Sequence, residues 1–331
     1  MQATRLFGIG DTRTVTLERP EPGPGEVLVR VEAAGICGTD RHLHKGEFPS
    51  APPLTLGHEF CGVIDAHGPG VVAPALGTRI TCDPNIACGT CPQCLRGRVN
   101  LCQSLVAIGV HRDGGFADYA VIPAHRALPL PASLDPRYGA FCEPLACCLH
   151  GVDLGAPIPG ERVIVLGGGV IGMLTAQLAR LAGAEVMLLT RQREKRDLAL
   201  ALGASTTAAS PEEALALWPG GADLVIECAG VAETVAAAPA LTRTGGRIVI
   251  QGVLAQGERV EIEPFDLLFR EIQMHFAFLN PFTQGRAAAM IAEGRILVAP
   301  LISRTISLAE APEAISNPPR PGEVKVLILP G

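Results

Sequence analysis

An apolar run, Arg162–Leu166, ends on three consecutive glycines, Gly167–Gly169, and a segment of helical periodicity follows from Val170 to Ala182. Few folds accept that succession. Gly167-Gly168-Gly169-Val170-Ile171-Gly172 fits G-x-G-x-x-G, the turn between a buried parallel strand and the helix on which a dinucleotide pyrophosphate rests. Gly167 permits the tight turn. Gly169 lets the pyrophosphate approach the backbone where unpaired N–H groups open the helix, and Gly172 allows close strand–helix packing. Strand-like runs at Glu185–Leu189, Asp223–Cys228, Arg247–Gln251 and near Glu271–Phe276 alternate with helical stretches such as Glu194–Leu202. That alternation predicts an α/β unit with a doubly wound parallel sheet.

The end of the second strand predicts which dinucleotide binds. An NAD site usually places Asp or Glu there to accept from the ribose 2′-hydroxyl. Here the sequence is Leu188-Leu189-Thr190-Arg191-Gln192-Arg193. A carboxylate would repel a 2′-phosphate, whereas Thr190 with Arg191 and Arg193 would bind one by charge-assisted hydrogen bonds. Two arginines at the positive end of a helix are also poorly placed unless an anion sits there. The expectation is NADP(H), with NAD(H) as the alternative.

The first half of the chain reads as β-rich, with strands at Val27–Val31, Gly62–Asp65, Thr78–Thr81 and Tyr119–Ile122 beside Gly and Pro punctuation. Within it lies a polar lobe, residues 82–102, too poor in apolar residues to be stable unaided. Cys88, Cys91, Cys94 and Cys102 are spaced C-x2-C-x2-C-x7-C, four thiols in fifteen residues. Tetrahedral zinc holds four thiolates about 3.8 Å from one another, which two-residue gaps in a turning loop deliver. A fully thiolate site leaves no open position, so this metal is structural. A bacterial ferredoxin-type cluster would end on Cys-Pro and show a second cluster, and neither is present.

Three further segments carry metal-capable side chains in Gly- or Pro-marked turns: Gly35-Ile36-Cys37-Gly38-Thr39-Asp40, Gly57-His58-Glu59-Phe60 and Cys142-Glu143-Pro144. A catalytic zinc needs three protein ligands and one replaceable position. Cys37, His58 and Glu59 or Glu143 supply such a set. Cys61, Cys82, Cys142, Cys147, Cys148 and Cys228 are read as ordinary packing residues.

GICGTDRH, GHEFCGVI, the four-cysteine lobe, CEPLACCLH and the glycine fingerprint follow one another in a familiar order and spacing. Over essentially the whole chain they resemble the zinc-containing medium-chain dehydrogenases, most closely the polyol, sorbitol and threonine dehydrogenase branch. The resemblance implies a β-rich GroES-like catalytic domain beside the Rossmann domain. It implies Cys37 and His58 as catalytic zinc ligands, with Glu59 and Glu143 as carboxylate ligands that need not bind at once. Asp40 would orient His58, Thr39 would hydrogen-bond the substrate oxygen, and His42, or else His44, would carry the proton to water. The activity implied is reversible oxidation of a secondary alcohol or polyol to a ketone, in a homodimer or homotetramer with two zincs per chain. The expected domains are 1–151 (catalytic), 152–283 (cofactor) and 284–331 (return to the catalytic domain).

Two rivals are disfavoured by residues. A zinc-free quinone reductase on the same scaffold has no need of Cys37, His58, Glu59 and Glu143 together. A non-enzymatic zinc module would not carry the glycine fingerprint. The net charge of −6 without a basic cluster argues against a nucleic-acid partner. The most apolar stretch, Val163–Ala184, is interrupted by glycines, Gln177 and Arg180, so no membrane span is expected. Met1–Gly10 lacks the apolar core of a signal peptide, and a cytoplasmic location is expected. The substrate class has only a weak marker, Phe278-Leu279-Asn280-Pro281-Phe282, where Asn280 could meet a polyol hydroxyl.

Overall fold

The alternation of apolar runs and helices builds a six-stranded parallel sheet from β1 (Arg162–Leu166), β2 (Glu185–Leu189), β3 (Thr206–Ala208), β4 (Ala222–Glu227), β5 (Thr242–Ile250) and β6 (Gln273–Phe276). Its order is β3-β2-β1-β4-β5-β6, so the winding reverses between β1 and β4. The C-terminal ends of those two strands are where such a sheet takes its ligand. Val163, Ile164, Val165 and Leu166 are at most 1% exposed, as a strand covered by helices on both faces requires. Helix α1 (Val170–Leu181) follows β1 and helix α2 (Arg193–Ala201) follows β2. Ile164, Leu166, Met187, Val225, Ile248 and Trp218 share one apolar core, each contributing roughly 2 kcal/mol by leaving water. Strand β3 is only three residues long, too short to show a period in the sequence.

The computed structural model describes residues 1–331, which form two compact units: Met1–Glu143 with Gln284–Pro319 and Lys325–Gly331, and Pro144–Thr283 with Arg320–Val324. Cys142-Glu143-Pro144 is no turn. It opens a fourteen-residue helix, Cys142–Gly155, in whose first turn a proline costs no hydrogen bond. The far end of that helix packs on the parallel sheet: Arg247 Nε donates to the Gly155 carbonyl at 2.8 Å. The short stretch Arg320–Val324 also joins the second unit, where the Gly322 N–H donates to Gln192 Oε1 at 2.9 Å.

The first unit is built on a seven-stranded mixed sheet. Its central strands, Glu26–Gly35 and Glu59–His67, are antiparallel and longer than their apolar cores suggest, because β-bulges let them continue past Val31 and Ile64. Arg79–Cys82, Ala127–Pro129, Tyr119–Pro123, Ile302–Ile306 and Lys325–Ile328 complete it. An N-terminal antiparallel pair, Gln2–Gly8 with Asp11–Thr16, has no counterpart in the sequence reading. No helix is long and apolar enough to cross a membrane.

Candidate active site and metal centres

Strand register assembles the buried donor group. Gly35 lies opposite Glu59 on one side and Leu327 on the other. A Cβ at position 35 would come within 2.4 Å of Glu59 Oε2 and 2.6 Å of Lys325 Cε, so only glycine fits between the strands there. Two residues on, Cys37 caps the helix Gly38–Lys45, and its N–H donates to Asp40 Oδ2 at 2.8 Å. His58 immediately precedes Glu59–His67. Cys37, His58 and Glu59 thereby bring one ligand atom each to within 4.8 Å of one another, with His58 and Glu59 buried. Glu143, at the start of its helix, is buried and close enough for its charge to act on His58.

His58 and Asp40 carry the clearest sign of what this group holds. Nδ1 of His58 and Oδ1 of Asp40 are buried without a hydrogen-bond partner, 3.7 Å apart. A small approach would let Nδ1–H donate to the carboxylate, fixing the ring with Nε2 toward the other donors, the usual support of a metal-binding histidine. Burial disfavours an imidazolium, yet Cys37, Asp40 and Glu143 together raise the His58 pKa well above 6.5. So anionic a pocket favours a cation, and the donors fit zinc. Lys325, 1% exposed, donates to the Ile36 carbonyl at 3.0 Å and pairs with Glu59. Burial works against its charge, but Glu59, Cys37 and Asp40 raise its pKa nonetheless.

The hydroxyl and imidazole expected to move the proton lie on the same short helix. Cys37 Sγ and Thr39 Oγ1 are 3.7 Å apart. His42 is one turn further along, with Nδ1 2.7 Å from Glu47 Oε2. His44 turns elsewhere, its Nδ1 2.9 Å from Thr12 Oγ1.

The four cysteines of the lobe also converge, their sulfurs all within 4.8 Å of one another. Backbone N–H groups already point at them: Cys91 N–H at Cys88 Sγ (3.3 Å), and Cys88 N–H and Ser104 N–H at Cys102 Sγ (3.2 and 3.4 Å). Hydrogen bonds from Thr90 and Cys91 lower the Cys88 pKa to about 6. Desolvation and the neighbouring thiols push that of Cys94 up to about 12. Thiols so spread cannot all ionise unless a dication neutralises them, so this group too fits zinc.

At the end of β1, Gly167 adopts φ +114°, and a Cβ on Gly172 would lie 1.9 Å from the Gly167 carbonyl oxygen. A Cβ on Gly169, by contrast, would meet nothing within 4 Å. The turn therefore keeps open space at the N-terminus of α1, where Val170 and Ile171 begin the helix, a fit for a pyrophosphate. Thr190 Oγ1 faces the same turn, 2.9 Å from where a Cβ on Gly168 would stand. Arg191 and Arg193 are exposed, and Arg193 lies 3.7 Å from Asp197. Arg196 instead braces the loop by donating to the carbonyls of Thr190 and Arg191 at 2.9 and 2.8 Å.

Residues 23–132 match the alcohol dehydrogenase GroES-like domain and residues 170–293 the zinc-binding dehydrogenase domain. D-arabinitol dehydrogenase 1 of Uromyces fabae is 32% identical over 315 residues, 92% of this chain and 90% of that protein. The chain belongs to the zinc-dependent medium-chain dehydrogenase family. Among solved structures, a Sinorhizobium meliloti zinc-binding dehydrogenase bound to NADP is 58% identical, covers 99% of both chains and superposes with a TM-score of 0.96. An Escherichia coli alcohol dehydrogenase complexed with NADH is 30% identical, covers 99% of both chains and has a TM-score of 0.92. This dehydrogenase is therefore an NAD(P)-dependent zinc enzyme acting on alcohols or polyols, with GroES-like and Rossmann-type domains.

Three residues near these groups escape a reading of the sequence. Lys325 has a signal in hindsight, a lone charge in the apolar run Val324–Leu329 that must meet a buried anion. Lys195 is half-buried, with its Cβ 3.1 Å from the Cβ position of Gly168, and burial lowers its pKa. Glu227 closes β4 as a fully buried carboxylate.

Proposed function

We propose that this dehydrogenase interconverts a secondary alcohol or polyol and the corresponding ketone with NADP(H), using one catalytic and one structural zinc per chain. The observation that carries the reading is the Cys37–His58–Glu59 group, with Oδ1 of Asp40 waiting unpartnered behind the histidine. When bound, zinc supplies Lewis-acid polarisation of the substrate oxygen, and the dinucleotide accepts or returns the hydride.

The chain's own residues do the rest. Cys37 and His58 bind the catalytic zinc with Glu59 or Glu143 as the carboxylate ligand. Lys325 pairs with Glu59 in the interior. Asp40 holds the His58 ring in one tautomer. Thr39 takes a hydrogen bond from the substrate hydroxyl, and His42, backed by Glu47, passes the proton outward. Cys88, Cys91, Cys94 and Cys102 bind the structural zinc. Gly167, Gly169 and Gly172, with the N–H groups of Val170 and Ile171, receive the pyrophosphate.

NADP rather than NAD follows from Thr190 where a carboxylate would stand, with Arg191, Arg193 and the inward Lys195 around it. The NADP in the Sinorhizobium meliloti relative supports this, and the NADH in the Escherichia coli relative marks the alternative. A homo-oligomer is supported by β6, which pairs on one side only, and by exposed Phe265, Leu268, Phe269 and Phe276. Sedimentation as a monomer at micromolar concentration would refute it.

The test is turnover with NADP(H) and NAD(H) over a panel of polyols and secondary alcohols, before chelation, after it and after zinc is restored. Zinc-dependent turnover favouring NADP(H) is expected, and Thr190→Asp should shift the NADP/NAD ratio of kcat/KM by about 100-fold toward NAD. A wild-type preference for NAD(H) overturns the cofactor assignment. Turnover untouched by chelation overturns the metal assignment.

A further inference from the structure

Glu227 is 0% exposed at the C-terminal end of β4, and no part of the chemistry above uses it. Its Oε1 accepts three hydrogen bonds: from the Ala229 N–H at 2.7 Å, the Gly230 N–H at 2.9 Å and the Thr234 hydroxyl at 2.7 Å. Its main-chain carbonyl accepts two more, from the Gln251 and Gly252 N–H groups at 2.9 and 3.0 Å. Oε2 is buried without a partner.

Three turns meet around this one side chain. A Cβ on Gly252 would fall 2.5 Å from Glu227 Oε2 and 2.2 Å from the Gly230 nitrogen. Gly230, at φ +68°, would place one 2.7 Å from the Val253 carbonyl oxygen. Gly167, at φ +114°, would place one 2.9 Å from the Ala229 nitrogen. The turns after β1, β4 and β5 thus touch at distances only glycine allows, and Glu227 is the polar group that pins two of them. A buried carboxylate with a bare oxygen is an expensive way to build a loop, since an apolar residue would avoid its desolvation. Burial raises its pKa for the same reason.

The sheet order says what those turns face. The pyrophosphate belongs at the N-terminus of α1, and the 2′-position of the adenosine ribose at the end of β2, on one side of β1. The other half of the dinucleotide must then extend over the turns after β4 and β5. We propose that Glu227 is a positioning residue for the nicotinamide half of the cofactor, fixing the backbone of residues 229–230 and 251–253 on which that half rests. The proposal relies on the dehydrogenase assignment, with either form of the dinucleotide.

The test separates the two halves. Glu227→Ala and Glu227→Gln are titrated with 2′,5′-ADP, which carries only the adenosine half, and with the reduced dinucleotide that the wild type binds more tightly; 5′-AMP replaces 2′,5′-ADP if that is NADH. In Glu227→Ala the dinucleotide Kd should rise about tenfold or more, the loss of hydrogen bonds to a charged acceptor, with the fluorescence enhancement of bound nicotinamide reduced. The Kd of the adenosine half should stay within about twofold, and Glu227→Gln, which keeps an acceptor oxygen, should recover most of the dinucleotide affinity. Equal weakening of both ligands, no weakening of either, or a glutamine variant as impaired as the alanine one overturns the proposal. If the alanine variant does not fold, Thr234→Val carries the same test with about a threefold loss confined to the dinucleotide, and no such loss overturns it. A wild type that binds neither dinucleotide refutes the cofactor reading instead.

Discussion

Cys88, Cys91, Cys94 and Cys102 come from fifteen consecutive residues, run from exposed Cys88 to buried Cys102 and offer only sulfur. Cys37, His58, Glu59 and the nearby Glu143 come from separate strands and helix ends, are largely buried and mix sulfur, nitrogen and oxygen. On the proposed reading the first group depends on its metal for order, since the lobe's own sequence is poor in apolar residues. The second is carried by a sheet with an apolar core of its own, in which Phe60, Cys61, Ile64, Ile80 and Ile122 are at most 1% exposed. A local, all-thiolate group closes a metal completely. A dispersed, mixed group on rigid strands can hold three donors still and keep a fourth position exchangeable. On the proposed reading, the difference separates a fold-stabilising metal from a reactive one within the same unit.

His58→Ala should break the comparison hardest from the reactive side. Loss of about 1,000-fold or more in kcat/KM is expected, with one zinc fewer per chain by elemental analysis and a melting temperature little changed. A variant that melted early yet kept turnover would erase the distinction. Cys91→Ser should do the reverse. Losing the closed site is expected to cost several kcal/mol, roughly 10 °C in melting temperature, while molecules still folded keep most of their turnover. Loss of turnover without loss of stability would show that the lobe serves chemistry.

Asp40→Asn sharpens the dispersed side. It removes the acceptor behind His58 Nδ1, and competition with a chelator should report zinc held about 10–100-fold more weakly there, with the lobe's zinc unaffected. The smallest effect concerns the metal-free lobe. With the Cys88 pKa lowered to about 6, its thiolate fraction rises as pH increases through that value. Alkylation of the apo protein followed by peptide mapping should therefore show Cys88 reacting first, with a midpoint near pH 6. Cys94, pushed up to about 12, should remain slow across the neutral range. Equal rates at both would contradict the ordering of the lobe's hydrogen bonds.

Much of the fold was legible because its signals are local. Val163–Leu166 is buried on both faces and reads as a continuous apolar run, and the glycine turn after it is written in adjacent residues. The spacing of the four lobe cysteines is likewise a statement about one loop. What stayed illegible depends on register or length. The three residues of β3 are too few for a period, and the helix Cys142–Gly155 hides behind a proline that reads as a break. The pairing of Lys325 with Glu59 joins positions 266 residues apart. Nothing near either residue announces the other.

The sequence by itself determined the chemistry available: thiols in zinc spacing, a glycine turn of the dinucleotide-binding pattern, Thr190 rather than a carboxylate after the second strand, and donors of three kinds at Cys37, His58 and Glu59 or Glu143. Only the tertiary structure decided which of these meet. The pairing of Gly35 with Glu59 and Leu327 sets Cys37 beside His58 and brings Lys325 to Glu59. The reversal of strand order between β1 and β4 sets Glu227 among three glycine turns. The reason is that side-chain type is a property of one residue, whereas distance between remote residues follows from strand register and layer packing, which the whole core fixes at once.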